Sequence, residues 1–168
     1  MENRINQDTG LYQWPLFELL FGHEIARARR YPSPLCLLHL SMWGNGKVSP
    51  ERAESAVMHV AHVLNSSLRQ VDVPAHYNDD FLILLPVTDE EGGLTVARRL
   101  IERISGEHTA RTGSRYFISV CVGMTSHVGG ALISGPDLLQ QAAESKDEAI
   151  RLGPNTLMNY RDLALIRA

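Results

Sequence analysis

The sequence predicts an α/β protein, a mixed sheet of β-strands flanked by helices. Three observations carry this. Apolar stripes of helical period alternate along the chain with short, strand-like apolar runs. Two of those runs flank a tight polar turn, Tyr77-Asn78-Asp79-Asp80, and read as an antiparallel hairpin. No repeat, linker or low-complexity stretch divides the 168 residues, a length that suits one domain with one substantial core. Helices and strands alternating around a single hairpin give a mixed sheet with helical cover.

Residues 1–13 read as a polar lead-in. The first helix runs from Pro15, a residue suited to a first helical turn, to Arg30. Phe17, Leu20, Phe21 and Ala28 form its stripe. Arg27, Arg29 and Arg30 gather at its C-terminal end, where the helix dipole favours cations. Pro32 and Pro34 stop it, and a strand follows from Leu35 to Met42. Trp43 to Lys47 is a loop. Ser49 caps the second helix, with Pro50 at its first position. Ala53, Ala56, Val57, Val60, Ala61, Leu64 and Leu68 mark its buried face.

The hairpin comes next, over about 71–86. Its second strand, Phe81 to Leu85, is apolar throughout and is expected to be buried on both faces. Thr88-Asp89-Glu90-Glu91 reads as a capping box for a third helix with core residues Ala97, Leu100, Ile101 and Ile104. Gly106 to Ser114 is a loop, and Tyr116 to Met124 one long strand whose pairing Gly123 interrupts. Pro136-Asp137 opens a fourth helix that Gly153-Pro154 ends. Thr156 to Tyr160 is a last strand. The domain proper is expected at 14–162, with a tail at 163–168.

Composition excludes several functions. At 44% hydrophobic and 21% charged the chain is an ordinary globular protein. A net charge of −3 does not suggest a nucleic-acid binder, and no apolar run is long enough to cross a bilayer. The polar start, Met1-Glu2-Asn3-Arg4, is no signal peptide. Cys36 and Cys121 lie in apolar runs and read as buried free thiols of a cytoplasmic protein. His59 and His62 stand three apart on the second helix but have no further ligand, so they read as a solvated face. His39 alternates with apolar neighbours and receives no chemistry.

Several stretches together resemble the GGDEF family, the diguanylate cyclases. Thr9-Gly10-Leu11-Tyr12 is similar to the family's opening Leu-Thr-Gly-Leu. Tyr77-Asn78-Asp79-Asp80-Phe81 resembles its Gly-Gly-Asp/Glu-Glu-Phe hairpin in degenerate form, and Leu82 to Pro86 its apolar run to proline. Ile118 to Gly123 and Gly153-Pro154-Asn155 resemble its later strand and closing motif. The resemblance covers residues 6–161. It implies a five-stranded mixed sheet flanked by helices, related to the palm of polymerases and nucleotidyl cyclases.

Cyclases of this family join two GTP molecules with the help of two metal ions held by carboxylates. The resemblance places Ser41 where the first such aspartate stands. Asp79 and Asp80 fall at the hairpin acids, with Tyr77 and Asn78 replacing glycines that let nucleotide approach. Glu54 falls at an acid that reads guanine, and Ile150 at a phosphate-binding lysine. These departures lead to the expectation that the chain is not an enzyme. Ser41, Asp79, Asp80 and Glu54 would then be vestigial, with no metal or cofactor, and Mg²⁺ involved only if activity remains.

The resemblance implies that a second family site is kept. Many members bind their product, cyclic di-GMP, at an Arg-x-x-Asp motif before the hairpin. Arg69-Gln70-Val71-Asp72 matches it, and Arg99 falls where a second arginine comes from the next helix. Two guanidiniums can grip phosphates and a guanine edge bidentately, and the aspartate can accept from guanine N–H groups. The bland alternative is an Arg69–Asp72 pair beside a solvated Arg99. The expected function is a regulatory receptor in cyclic di-GMP signalling, acting with a protein partner or as a homodimer. The alternatives are a ligand-free interaction module, and a residual cyclase or GTP binder using Asp79 and Asp80.

Overall fold

The computed structural model describes residues 5–43 and 49–168. The Gly44–Lys47 part of the expected loop, including Asn45, and the Met1–Arg4 start lie outside them. The elements in chain order are α1 (Trp14–Arg30), β1 (Leu35–Met42), α2 (Pro50–Ser67), β2 (Val73–Tyr77), β3 (Asp80–Pro86), α3 (Glu90–Ile104), β4 (Gly106–Thr109), β5 (Arg115–Ile118), β6 (Val120–His127), α4 (Gly135–Leu152), β7 (Leu157–Asn159) and α5 (Tyr160–Arg167).

Five strands form the main sheet in the order β2-β3-β1-β6-β7. β1 lies at its centre, antiparallel to both β3 and β6, while β6 and β7 run parallel. The sheet is therefore mixed and five-stranded, as the sequence predicts. β1 is buried at every position, which explains its nearly unbroken apolar sequence. Alternate residues of the strands face opposite layers. Cys36, Leu38, Leu40, Phe81 and Ile83 pack with α2 and α3. Leu35, Leu37, Leu82 and Leu84 pack with α1 and α4.

Local chemistry explains most element ends. The Ser49 hydroxyl accepts from Arg52 N–H at 3.4 Å, with Pro50 following. At α3 the cap is Asp89, whose carboxylate accepts from Gly92 N–H at 2.8 Å, not Thr88 as the capping-box reading has it. The Thr88 hydroxyl instead donates back to the Pro86 carbonyl.

The expected loop at 106–114 is in part a two-stranded ribbon, β4 paired with β5. The expected long strand splits at Ser119, so β5 belongs to the ribbon and β6 to the main sheet. Exposure alternates along β5 and nearly vanishes along β6, a change of environment that accompanies the break. Residues 160–167, expected as a strand end and a tail, form α5. Its Leu163 packs with Cys121, Ala149 and Met158. The lead-in is also tied down. Leu11 is fully buried, Tyr12 N–H donates to Pro74 O at 3.1 Å and His76 N–H to Tyr12 O at 2.9 Å. This covers the open edge of β2.

Gly123 does not interrupt pairing. It stands opposite His39 on one side and Met158 on the other. Its role is close approach, because a Cβ there would collide with the backbone of Ala142 and Lys146 on α4. Backbone cannot yield as a flexible side chain can. Gly123→Ala is expected to destabilise the fold by about 3 kcal/mol. Urea denaturation checks this, and an unchanged midpoint would show that α4 does not sit so tightly on β6.

Candidate functional site

Two clefts lie at opposite ends of the β1–β3 pair. The first is at the hairpin tip. Tyr77 pairs with Asp80, leaving Asn78 and Asp79 as the turn. Asn78 takes φ 54°, a conformation asparagine tolerates. Ser41, His76, Asn78, Asp79, Asp80 and Phe81 are among the residues lining an open cleft of about 500 Å³. Strand alternation sends Tyr77 elsewhere. Its ring packs 5.0 Å from Trp14 and meets His39 edge-on at 5.7 Å. Only Asn78 of the two glycine replacements borders the cleft.

Beneath the tip lies a polar network that the sequence reading missed. His39 is 3% exposed, and its Nε2 is 2.8 Å from Asp80 Oδ2. Lys146 Nζ from α4 is 3.6 Å from the same oxygen and 2.7 Å from Asp147 Oδ1. Burial opposes the Asp80 charge. Hydrogen bonds from His39 and Ser41, with the charges of His39 and Lys146, outweigh it and hold the carboxyl below the ordinary aspartate value. The signal in sequence was period two along β1, which puts His39 and Ser41 on one face, combined with a lysine on the helix that covers that face.

Among the described residues, no group of three or more His, Cys, Asp and Glu could hold a metal ion. At the tip the donors are two carboxylates and the Ser41 hydroxyl, and Asp80 is already engaged. Glu54 lies apart from this cleft. It lines another, of about 380 Å³, with Asp8, Glu51, Ser55, Met58 and Arg111.

The second cleft, of about 460 Å³, is lined by Arg69, Asp72 and Arg99 together with Pro34, Val87, Thr88, Asp89, Gly92 and Val96. The structure thus brings together the three residues that the sequence singles out. Arg69-Gln70-Val71-Asp72 is a tight turn rather than a helical turn. Asp72 N–H donates to Arg69 O at 3.0 Å, and Arg69 N–H donates to Asp72 Oδ2 at 2.8 Å. The Arg69 guanidinium reaches Asp72 Oδ1 and Thr88 Oγ1 at 2.8 Å and Pro86 O at 2.9 Å. It remains half exposed, while the Asp72 side chain is 2% exposed. Arg99 Nη2 donates to Ser67 O at 3.1 Å. Its Nε is buried without a hydrogen-bond partner among the described residues.

The other candidates stay structural. The His59 ring lies 3.8 Å from that of His108. Burial, aided by the nearby His108 and His62 charges, lowers its pKa. Both cysteines are free and buried. Burial, then the Asp89 charge, pushes the Cys36 thiol up to about 12.

A five-stranded mixed sheet between helical layers, with paired carboxylates on the tip of the β2–β3 hairpin beside the end of the central strand, is the fold of a nucleotidyl-cyclase-like palm. The family described as "Diguanylate cyclase, GGDEF domain" matches residues 5–156, and the chain belongs to it. Similar solved structures include the FimX GGDEF domain from Pseudomonas aeruginosa, at 16% identity and TM-score 0.84, covering 93% of this chain and 99% of that one. The GGDEF domain of DgcB from Caulobacter crescentus in complex with c-di-GMP has 17% identity and TM-score 0.84, covering 96% and 98%. Diguanylate cyclase SiaD from Pseudomonas aeruginosa, in complex with its activator SiaC, has 19% identity and TM-score 0.83, covering 92% of this chain and 61% of that one. No curated protein matches.

The expectation that the chain is not an enzyme is overturned by this membership, since the family is that of the diguanylate cyclases. That expectation judged each position by its aligned residue. In space, the Tyr77 ring turns away from the tip cleft. One helical turn before Ile150, Lys146 lies 3.6 Å from Asp80.

The lowered Asp80 pKa means that the folded chain takes up this proton less readily than the unfolded chain. Its stabilisation is present above the unfolded value, near pH 4, and is lost as pH falls through the lower folded value. Asp80→Asn is expected to cost about 1–3 kcal/mol at pH 7 and to flatten the loss of stability below pH 4. Melting curves between pH 3 and pH 7 check this. A variant that follows the parent across the whole range would refute the network.

Proposed function

We propose that this GGDEF domain acts in cyclic di-GMP signalling by binding the dinucleotide in the cleft of Arg69, Asp72 and Arg99. The observation that carries the reading is the convergence of two guanidiniums from different elements on one open cleft. One of them has a buried Nε–H without a partner among the described residues. Arginine forks match phosphate oxygens and the acceptor edge of guanine. The Arg69 head group is half exposed, so it can exchange a contact for a ligand oxygen without being dug out of the core. The DgcB domain was solved with the same dinucleotide and SiaD with a protein activator, which supports a ligand and a protein partner for this chain.

A second reading is cyclase chemistry at the hairpin tip. It is favoured by two carboxylates on an open cleft next to the Lys146 ammonium. Mg²⁺ or Mn²⁺ would enter only with that reaction. Incubation with GTP and either ion, followed by chromatography, tests it. Product that disappears in a double variant, Asp79→Asn with Asp80→Asn, would place the reaction at the tip.

Calorimetric titration with cyclic di-GMP tests the first reading. The wild type is expected to release heat on binding, and Arg99→Ala to bind at least tenfold more weakly, about 1.4 kcal/mol. Arg69→Ala is expected to abolish binding and also to lower the melting temperature, because it leaves the buried Asp72 carboxylate without its guanidinium. Heat unchanged in both variants would rule out this cleft. No heat from the wild type would leave the fold as an interaction module without this ligand.

A further inference from the structure

Among the described residues, three other than glycine have positive φ: Asn78, Val87 and Asn155. Asparagine tolerates that region, whereas a β-branched side chain there is a true outlier. Val87, at φ 47°, is the exception. It links β3 to α3, and both of its neighbours are pinned. The Pro86 carbonyl accepts from Arg69 Nη2 and from the Thr88 hydroxyl, each at 2.9 Å. Thr88 N–H donates to Pro34 O at 3.0 Å, and Cys36 Sγ donates to Thr88 O at 3.4 Å. With both ends held, the turn between them must take a left-handed residue. Glycine or asparagine would meet that need without strain.

The valine is not retained for packing, since it is 57% exposed. It lies instead on the wall of the Arg69–Arg99 cleft, where Pro34 and Val96 add further apolar surface. Strain kept at an exposed position on the rim of a cleft is the pattern of a ligand clamp. The geometry points to Val87 as a specificity-determining residue of this cleft. Its isopropyl group supplies the apolar wall on which the face of a planar base packs, while the two arginines take the phosphates and the base's acceptor edge. This rests on the dinucleotide-binding reading above and adds to it a division of labour, with charge for the ligand's polar groups and a strained valine for the face of the base.

Val87→Asn tests the division, because asparagine keeps the backbone conformation and removes the apolar wall. The variant is expected to melt about 2–4 °C higher as the strain is relieved. It should bind cyclic di-GMP some five- to twentyfold more weakly, with the salt dependence of affinity unchanged because the arginines still meet the phosphates. Affinity within twofold of the wild type, while Arg99→Ala still weakens binding, would overturn the role of Val87 and leave the cleft assignment standing. Weaker binding together with a lower melting temperature would also overturn it, since the loss would then report damage. A wild type that binds no cyclic di-GMP would remove the cleft assignment and the role of Val87 together.

Discussion

The antiparallel pairing of β1 with β3, from Leu35↔Pro86 to Leu40↔Phe81, is the constraint on which both clefts depend. One end of the ladder sets Ser41 beside the hairpin acids. The other sets Pro34 and Val87 side by side on the wall of the arginine cleft. The two ends are roughly 17 Å apart along the strands. A slip of one residue would move every apolar side chain of β3 to the wrong layer and dismantle both sites at once. Burial of both faces of β1 therefore does more than stabilise a core, because it holds two separate clefts in fixed relation.

Much of this was legible in the sequence because the signals were local. Pro34, the apolar run and Met42 bound β1. Ser49-Pro50 announces the start of α2. Arg69, Asp72 and Arg99 meet because the turn and α3 are both hung from the ladder that the apolar residues define. What was not legible depended on partners distant in sequence. β4 reads as a loop because it is short and half exposed, and β5 reads as the start of the strand that follows it. α5 reads as a tail because Leu163 is its only buried residue. Gly123 reads as a defect in a strand, and only the packing of α4 on β6 shows it to be a requirement.

The hairpin tip illustrates the same limit. Read one position at a time, it is a set of substitutions in a catalytic motif. Read in space, Tyr77 belongs to the aromatic layer with Trp14 and His39, and the tip is bordered by two carboxylates with an ammonium beneath them. A side chain's direction follows from strand parity, and a charge can be supplied from a neighbouring turn of a helix. Motif comparison by position sees neither.

The two clefts also differ in how their charges are held, and this separates what each can do. At the tip, Asp80 has the His39 ring nitrogen and the Lys146 ammonium already in place at 2.8 and 3.6 Å, so an incoming positive group must compete with an existing network. At the arginine cleft the excess runs the other way. The one carboxylate paired to Arg69 is buried, while the guanidinium itself is half in water and Arg99 keeps a donor unused. A buried donor without a partner carries a standing desolvation cost, and an anionic ligand that reaches it removes that cost on binding. The unmet donor of Arg99 and the strained backbone of Val87 lie in the same cleft.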